Sequence, residues 1–229
     1  MKQILFIAIF FLSTFISNAQ YFSSGIQANV GVPLGDLKEV MNGSVFPEYN
    51  LSLYYRFPNK PIDVGFGVGY GKYGTEVEKR TDLYPGFTDE LRLRRNNNLL
   101  TLMGIFRYNF ESEKQIVPFF EAQIGANYFY TRYKIRESRF EEPIEDGMDF
   151  DDWVLAYRFG GGLKIPFKDR ELGHFEFKVL YHDSSPVEFL RKQDTEYRPD
   201  QGTGEFVYSP QRSTINMIQP GIGLVFFLD

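Results

Sequence analysis

Strict two-residue alternation over residues 120–132 is the feature that most constrains the fold of this chain. One parity holds Phe120, Ala122, Ile124, Ala126, Tyr128 and Tyr130, and the other holds Glu121, Gln123, Gly125, Asn127 and Thr131. A period of two residues indicates a β-strand with two chemically different faces. The apolar face ends in tyrosines and the opposite face is small and polar, which suits a strand between lipid and a polar lumen.

The same alternation recurs along the chain and indicates eight strands. The predicted segments cover residues 24–32, 47–57, 62–73, 99–110, 120–132, 153–165, 175–182 and 218–228. Most of them reach the roughly 9 to 11 residues that a tilted strand needs to cross a bilayer. The connections alternate between long and short. The sequence therefore predicts an all-β, eight-stranded antiparallel up-and-down transmembrane β-barrel with long extracellular loops and short periplasmic turns.

Individual residues in the connections refine this prediction. Residues 58–61, with prolines at both ends, predict a tight turn. Pro220 lies inside the last strand, where a missing N–H predicts a bulge or a local bend. Glycine at alternate positions of residues 65–71 leaves room inside the barrel for large side chains from other strands.

Composition excludes two other classes of protein. The mean hydropathy of -0.30 is too polar for a helical membrane protein, although the aromatic content of 17% is high. The formal charge of -5 argues against a nucleic acid partner, because phosphate binding needs a basic face.

The first residues have the features of an export signal. Lys2 precedes an apolar run over residues 4–16, and Ser17, Asn18 and Ala19 follow. This order predicts a signal peptide over residues 1–19, cleaved after Ala19, and a barrel domain over residues 20–229 in the cell outer membrane. The absence of cysteine excludes disulfides and a lipid-bearing cysteine, so any membrane attachment must come from the fold.

Charged residues in the inward parity flank each short turn and predict a polar network inside the lumen. Folding each hairpin about its turn places Arg56 opposite Asp63, Arg107 near Glu121 and Lys164 opposite Glu176. The other predicted members are Gln123, Asn127, Arg158 and Lys178. An eight-stranded barrel is just wide enough for side chains to fill it, so we expect no open pore. The alternative is that these charges are solvated at the periplasmic rim.

His182, Ser184 and Glu196 form the candidate catalytic set. In order and spacing they resemble the His-x-Ser and following Glu of the outer-membrane lipid A deacylases, which are also eight-stranded barrels. A serine activated by a histidine that a carboxylate orients is a hydrolase arrangement. Ser185 and Lys192 stand where that family has asparagines, and alternation places His182 on the lumen side.

Metal sites and cofactor sites are not predicted. His174 and His182 share a face of one strand but lie about 26 Å apart at the strand rise, so they cannot bind one metal together. The acidic residues within 141–152 lack the spacing of a calcium loop and are interpreted as a solvated loop.

Three sequence features carry a resemblance to a known family. They are the signal ending in Ala-Gln, the Gly-Val-Pro-Leu-Gly-Asp loop at residues 31–36, and the closing Gly-Ile-Gly-Leu-Val-Phe-Phe-Leu-Asp at residues 221–229. With its eight alternating strands, the chain resembles the small outer-membrane β-barrel proteins of Bacteroidota. That family is similar to the OmpA membrane domain and includes the PorT-like barrels.

The leading hypothesis is a non-enzymatic integral outer-membrane barrel that is structural, binds a partner through its loops, or is an accessory subunit of an outer-membrane complex. Its expected contacts are outer-membrane lipid and another outer-membrane or surface protein, bound through the loops at residues 75–98, 133–152 and 183–213. A lipid A deacylase-like hydrolase and a small channel are the alternative functions.

Overall fold

The computed structural model describes residues 21–84, 88–112, 115–198 and 205–228. The predicted signal peptide and its cleavage after Ala19 lie outside these residues. The division into residues 1–19 and 20–229 therefore stays a prediction.

Twelve strands and one short helix make up the regular structure of the described residues. In chain order the strands are β1 Phe22–Pro33, β2 Phe46–Arg56, β3 Ile62–Arg80, β4 Leu91–Asn109, β5 Val117–Arg136, β6 Glu145–Pro166, β7 Gly173–Ser184, β8 Val187–Phe189, β9 Thr195–Arg198, β10 Glu205–Tyr208, β11 Gln211–Ser213 and β12 Met217–Leu228, with helix α1 Gly35–Met41 after β1. None of the described helical residues belongs to a helix long and apolar enough to cross a bilayer.

Eight of the strands close into one antiparallel barrel in the order β1-β12-β7-β6-β5-β4-β3-β2. Each of these eight strands pairs with the next barrel strand along the chain, so that β7 pairs with β12, and β12 closes the barrel by pairing with β1. The predicted eight-stranded up-and-down topology is therefore confirmed.

The two faces of the barrel wall have inverted polarity. On β2, Tyr49, Leu51 and Leu53 are exposed on the outside, whereas Glu48 and Asn50 are buried inside. The same division holds around the barrel, so large apolar side chains face outward and charged ones face inward. A water-soluble protein would have the opposite arrangement.

Short turns gather at one end of the barrel, which we call the short-turn end, and the other connections gather at the long-loop end. The turn between β2 and β3 is tight as predicted: Asn59 has a left-handed φ of 56°, and the amide of Lys60 donates to the carbonyl of Phe57 over 3.2 Å.

The bulge predicted at Pro220 is not present, because the register of β12 does not shift on either side. Instead, β12 leaves Val30 and Gly31 of β1 unpaired, where the missing N–H of Pro220 removes a donor.

Two predicted loops are wrong, because strand pairing continues through most of them. Strands β3 to β6 extend past the barrel wall and stay paired up to Arg80 with Leu91 and up to Ile135 with Glu145. We call this extension, residues 74–80, 91–97, 132–136 and 145–149, the projection. It forms because alternation persists there: Leu91, Leu93 and Ile135 are buried on its inner face between charged residues.

The third predicted loop, residues 183–213, contains four short strands instead of an irregular chain. Strands β9 and β10 form a hairpin, and β8 pairs with β11. Tyr197 of the hairpin is buried in one apolar cluster with Leu83, Leu91, Leu93 and Ile135. The hairpin therefore packs against the inner face of the projection.

An apolar plug fills the lumen at the long-loop end. We define the plug as Leu37 and Met41 of α1, Val187 and Phe189 of β8, and Ile215, all of which are buried. It packs against apolar side chains of the barrel wall: Phe46, Tyr73, Leu99, Phe129, Val154 and Met217. The expectation that polar groups alone fill the interior is therefore wrong at this end, because these inward positions are apolar.

Truncating the wall residue at the centre of the plug contacts should destabilise the barrel. Phe129 is fully buried, and its ring centroid lies 5.7 Å from that of Tyr73 and 5.6 Å from that of Phe189. We expect Phe129→Ala to lower the free energy of unfolding by about 3 to 5 kcal/mol, from the lost burial and the cavity left behind. Denaturant titration of the refolded barrel in detergent micelles measures this.

Phe140→Ala is the matched control, because that side chain is 91% exposed. It should change the unfolding free energy by no more than about 0.5 kcal/mol. Equal stabilities for the two variants would contradict the plug.

Candidate functional site

Arg107 is the centre of the polar network in the half of the lumen nearer the short-turn end. Its Nε donates to Glu121, and its Nη1 and Nη2 donate to the two carboxylate oxygens of Glu176 over 2.6 and 2.9 Å. The guanidinium carbon lies 4.1 Å from the ring centroid of Tyr54 and 4.7 Å from that of Phe119. A buried guanidinium is thus held by two carboxylates and between two aromatic rings, which is the geometry that favours arginine.

Further donors complete the shells of the two carboxylates. Lys178 Nζ and Gln123 Nε2 donate to Glu121 over 2.9 and 2.6 Å, and Gln27 Nε2 donates to Glu176 over 3.1 Å. All five of these side chains are buried. Burial of an ionised carboxylate is tolerable only with such multiple donors.

Lys164 does not form the ion pair that was predicted for it. In the register it lies opposite Glu176, but its ammonium donates to Asp63 over 2.8 Å. Asp63 also accepts from Arg56 over 2.8 Å, as expected for this hairpin. Arg107 contacts both oxygens of Glu176, and Lys164 reaches across the lumen to Asp63, which it shares with Arg56.

Glu48 organises a second layer of the lumen, which the sequence analysis did not include. Its two carboxylate oxygens accept from the guanidinium of Arg158 over 2.9 and 3.1 Å. Gln219 and Thr101 donate to the same carboxylate over 3.0 and 3.1 Å. A Cβ at Gly69 would overlap Glu48 and Thr101, so the glycine makes the room that this layer needs. The inward parity of Glu48 on β2 was the signal that could have identified it.

The buried charges of the lumen balance within the described residues. The buried cations are Arg107, Arg158, Lys164 and Lys178, and the buried carboxylates are Glu48, Asp63, Glu121 and Glu176. Arg56, with its side chain 47% exposed, lies at the rim. The alternative of rim-solvated charges therefore describes Arg56 alone among the predicted residues.

His182 and Ser184 bond to other partners instead of to each other. His182 is fully buried, and its Nε2 lies 2.9 Å from Nδ2 of Asn127. The Ser184 hydroxyl donates to the carbonyl of Ser185 over 2.8 Å and accepts from the amide of Ile215 over 3.0 Å. The Ser184 hydroxyl therefore links the end of β7 to Ile215, which lies in the connection between β11 and β12.

Glu196 lies apart from both residues. It belongs to the β9–β10 hairpin and is exposed, and it accepts from Arg198 over 3.3 Å. The hydrogen-bonded triad that a deacylase-like site requires is thus not formed. The three residues are close along the chain, but the chain leaves the barrel after β7, and Glu196 lies in β9 outside the barrel.

The inner face of the projection carries a set of polar contacts outside the barrel wall. The hydroxyls of Tyr84 and Tyr133 donate to Glu145 over 2.5 and 2.6 Å. These bonds lower the pKa of the Glu145 carboxyl, and the same interaction raises the pKa of Tyr133 to about 12. Residues from three connected segments are thereby joined at the long-loop end.

Arg95 joins the hairpin to the projection. Its Nε donates to Asp149 over 3.1 Å, and its guanidinium carbon lies 4.3 Å from the ring centroid of Phe206. Asp149 also accepts from the hydroxyl of Tyr208 over 2.8 Å. Burial raises the pKa of the Asp149 carboxyl. The hairpin and the projection therefore form one braced surface.

Solved structures similar to this chain are small barrels. Neisserial surface protein A is 10% identical with a TM-score of 0.40, and the match covers 90% of this chain and 97% of that one. A major outer membrane protein from Thermus thermophilus is 12% identical with a TM-score of 0.43, covering 89% and 99%. The attachment invasion locus protein Ail of Yersinia pestis, in complex with the heparin analogue sucrose octasulfate, is 13% identical with a TM-score of 0.39, covering 90% and 98%.

Neither a family model nor a curated protein sequence matches the chain. The class of protein therefore follows from its own strand order: it is a closed, eight-stranded antiparallel β-barrel with an apolar exterior and a charged, compensated interior.

Substituting the central Arg107 should lower the free energy of unfolding far more than substituting Arg56 at the rim. Arg107→Ala leaves Glu121 and Glu176 buried without their main counter-charge, so we expect a loss of about 3 to 5 kcal/mol in unfolding free energy. Arg56→Ala removes a half-exposed partner, and Lys164 still neutralises Asp63, so its cost should stay near or below about 1 kcal/mol. Denaturant unfolding followed by tryptophan fluorescence measures both. Similar losses for the two variants would contradict the central role of Arg107.

Proposed function

We propose that this protein is a non-enzymatic integral barrel of the outer membrane, with a sealed lumen and a rigid projection that binds a partner at the cell surface. The inverted polarity of the barrel wall carries this proposal. Large apolar side chains are exposed outward on every barrel strand, and eight charged side chains are buried inside. Hydrocarbon contact outside and ionic compensation inside together explain this arrangement.

Aromatic side chains near both ends of the outward face support a membrane position. Tyr128 stacks on Trp153 with centroids 4.4 Å apart toward the long-loop end. Tyr108 and Phe110 contact each other toward the short-turn end, with centroids 5.3 Å apart. Such girdles lie at the two membrane interfaces of outer-membrane barrels. We assign the short turns to the periplasm and the long-loop end to the outside.

A channel function is not favoured by the interior. The Arg107 network and the Glu48 layer occupy the lower and middle lumen, and the plug covers the long-loop end. Each layer is hydrogen-bonded or packed to the wall, so conduction would require all of them to rearrange. The enzymatic alternative has no support either, since His182, Ser184 and Glu196 are not brought together.

Planar-bilayer recording tests the sealed lumen. We expect the wild-type barrel to insert and to show no steady large open state, because three filled layers block the path. The shift in gel mobility between boiled and unboiled samples is the control for folding and insertion. A steady, large conductance from correctly folded protein would contradict the proposal.

Partner binding is assigned to the projection and its connecting segments. Phe140, at the tip between β5 and β6, is 91% exposed, and Ile144 beside it is also exposed. Apolar side chains at the tip of a braced scaffold are typical of interaction sites. A stand-alone surface protein and an accessory subunit of a larger complex both fit this arrangement.

Site-specific photo-crosslinking in native membranes separates these two cases. A photoreactive residue at position 140 should give one discrete adduct with another membrane protein if the chain is an accessory subunit. The same residue at position 168, an exposed lysine in the turn before β7, is the matched control and should give none. The absence of any adduct at position 140 would contradict a stable membrane partner at this tip.

The source of the chain among Bacteroidota stays an implication of the sequence resemblance.

A further inference from the structure

A cluster of basic side chains lies on the outward face of the projection and of the chain immediately next to it. We call it the basic cluster, and it consists of Lys72, Arg92, Arg94, Lys134, Arg136 and Arg139. Together with Asn96 these residues line a cavity of about 170 Å³. The cluster is notable in a chain whose formal net charge is -5.

The register forces like charges to face each other across the sheet. Arg92 lies directly opposite Arg136, and Arg94 lies directly opposite Lys134. Like charges in directly opposed positions destabilise a sheet. The cluster therefore has a cost in the free protein that an anion in the cavity would relieve.

The acidic side chains near the cluster form their salt bridges with other residues, including Asp146, which lies opposite Lys134 in the register. Lys79 pairs with Glu90 over 2.5 Å, and Arg132 pairs with Asp146 over 2.9 Å. In the described residues, no salt bridge involves any member of the basic cluster. The charges of the cluster are thus available to a ligand, whereas those of its neighbours are already neutralised.

Two of the guanidinium groups are held in place by short-range hydrogen bonds. Arg94 Nε donates to Oδ1 of Asn96 over 3.2 Å, which also accepts from Thr75 over 3.1 Å. Arg136 Nη1 donates to the carbonyl of Arg139 over 3.1 Å. These bonds reduce the side-chain freedom that would be lost on binding.

The cluster lies just beyond the aromatic girdle on the same outward face. Tyr130 stacks on Tyr128 with centroids 5.1 Å apart, and Lys134 follows Tyr130 four positions along β5. Four residues span roughly 13 Å along a strand, and less along the membrane normal because barrel strands are tilted. The headgroup layer begins at the girdle and is of the order of 5 to 8 Å thick on each side of the bilayer. With the strand tilt, Lys134 lies roughly 10 Å above the girdle along the membrane normal, and long lysine and arginine side chains that fold back toward the membrane can reach the height of the lipid phosphates.

We propose that the basic cluster binds the phosphate groups of a lipid in the leaflet that surrounds the long-loop end. This inference rests on the proposed membrane location. Arginine forks and lysine ammonium groups are the usual ligands of phosphate, and such groups near a membrane surface attract anionic lipids. A soluble polyanion is less favoured, because the cluster faces sideways over the girdle and not away from the membrane.

The test compares lipid binding by two double variants, each of which removes two positive charges at the long-loop end. R94Q/K134Q removes one of the opposed pairs of the cluster. K38Q/K192Q removes two exposed lysines, one on α1 and one before β9, and is the matched control. The probe is bisphosphorylated lipid A, titrated into the refolded barrel in zwitterionic micelles and counted by native mass spectrometry. Fully dephosphorylated lipid A and inorganic phosphate alone are the comparison probes.

We expect R94Q/K134Q to bind bisphosphorylated lipid A roughly 30-fold more weakly than wild type, from the loss of two surface charges. K38Q/K192Q should bind as wild type does, and dephosphorylated lipid A should bind weakly to all three proteins. Equal affinity of wild type and R94Q/K134Q would overturn the proposal. Displacement of lipid A by an equal concentration of inorganic phosphate would overturn the lipid assignment, because the site would then take soluble phosphate.

Insertion of each protein into vesicles, read by the gel-mobility shift on boiling, separates this inference from the proposed function. Failure of the wild type to insert would remove the membrane location itself. Correct insertion without phosphate-dependent binding would overturn only the role of the basic cluster.

Discussion

Charge compensation inside a narrow lumen is the constraint on which the rest of the structure depends. Once the wall turns its apolar face outward, the opposite parity must hold polar groups that water cannot solvate fully. Arg107 resolves this by contacting Glu121 and Glu176, two carboxylates from different strands. The cost of burying a charge is large, so removing a fully buried member leaves its partner uncompensated and destabilises the network. The interior therefore acts as a polar core that joins the strands of the wall.

Size complementarity makes this core compact enough to close the lumen. Gly69 stands where any larger residue would collide with the Glu48 layer, and Gly162 stands beside the ring of Phe119. At the long-loop end the filling changes from ionic to apolar, because α1 and β8 fold inward and bury their side chains against Phe129. A polar core below and an apolar plug above give a solid cylinder, which agrees better with an anchoring role than with transport.

The projection extends the filled barrel beyond the membrane and provides a scaffold for binding at the surface. Its strands are continuous with the barrel wall, and Arg95 and Asp149 fasten the hairpin to its inner face. Binding groups on such an element are positioned by the wall itself, so recognition needs little ordering of the chain. The two faces of the projection have different charge: the inner face pairs its charges, and the outer face leaves the basic cluster unpaired above the girdle.

Alternation in the amino-acid sequence by itself determined the number of barrel strands, their topology and the parity of each wall residue. Hairpin neighbours such as Arg56 and Asp63 were also readable, because a short turn brings nearby residues together. Parity does not predict which residues pair across the lumen. Lys164 bonds to Asp63, 101 residues away in sequence, and Arg158 bonds to Glu48, 110 residues away. Charged strands such as residues 91–97 were interpreted as loops because their polar residues concealed a pattern that Leu91 and Leu93 still carried. The tertiary structure decided the cross-lumen pairs, the plug and the separation of Ser184 from Glu196, since these depend on ring closure and on how the connections fold back, which no local period encodes.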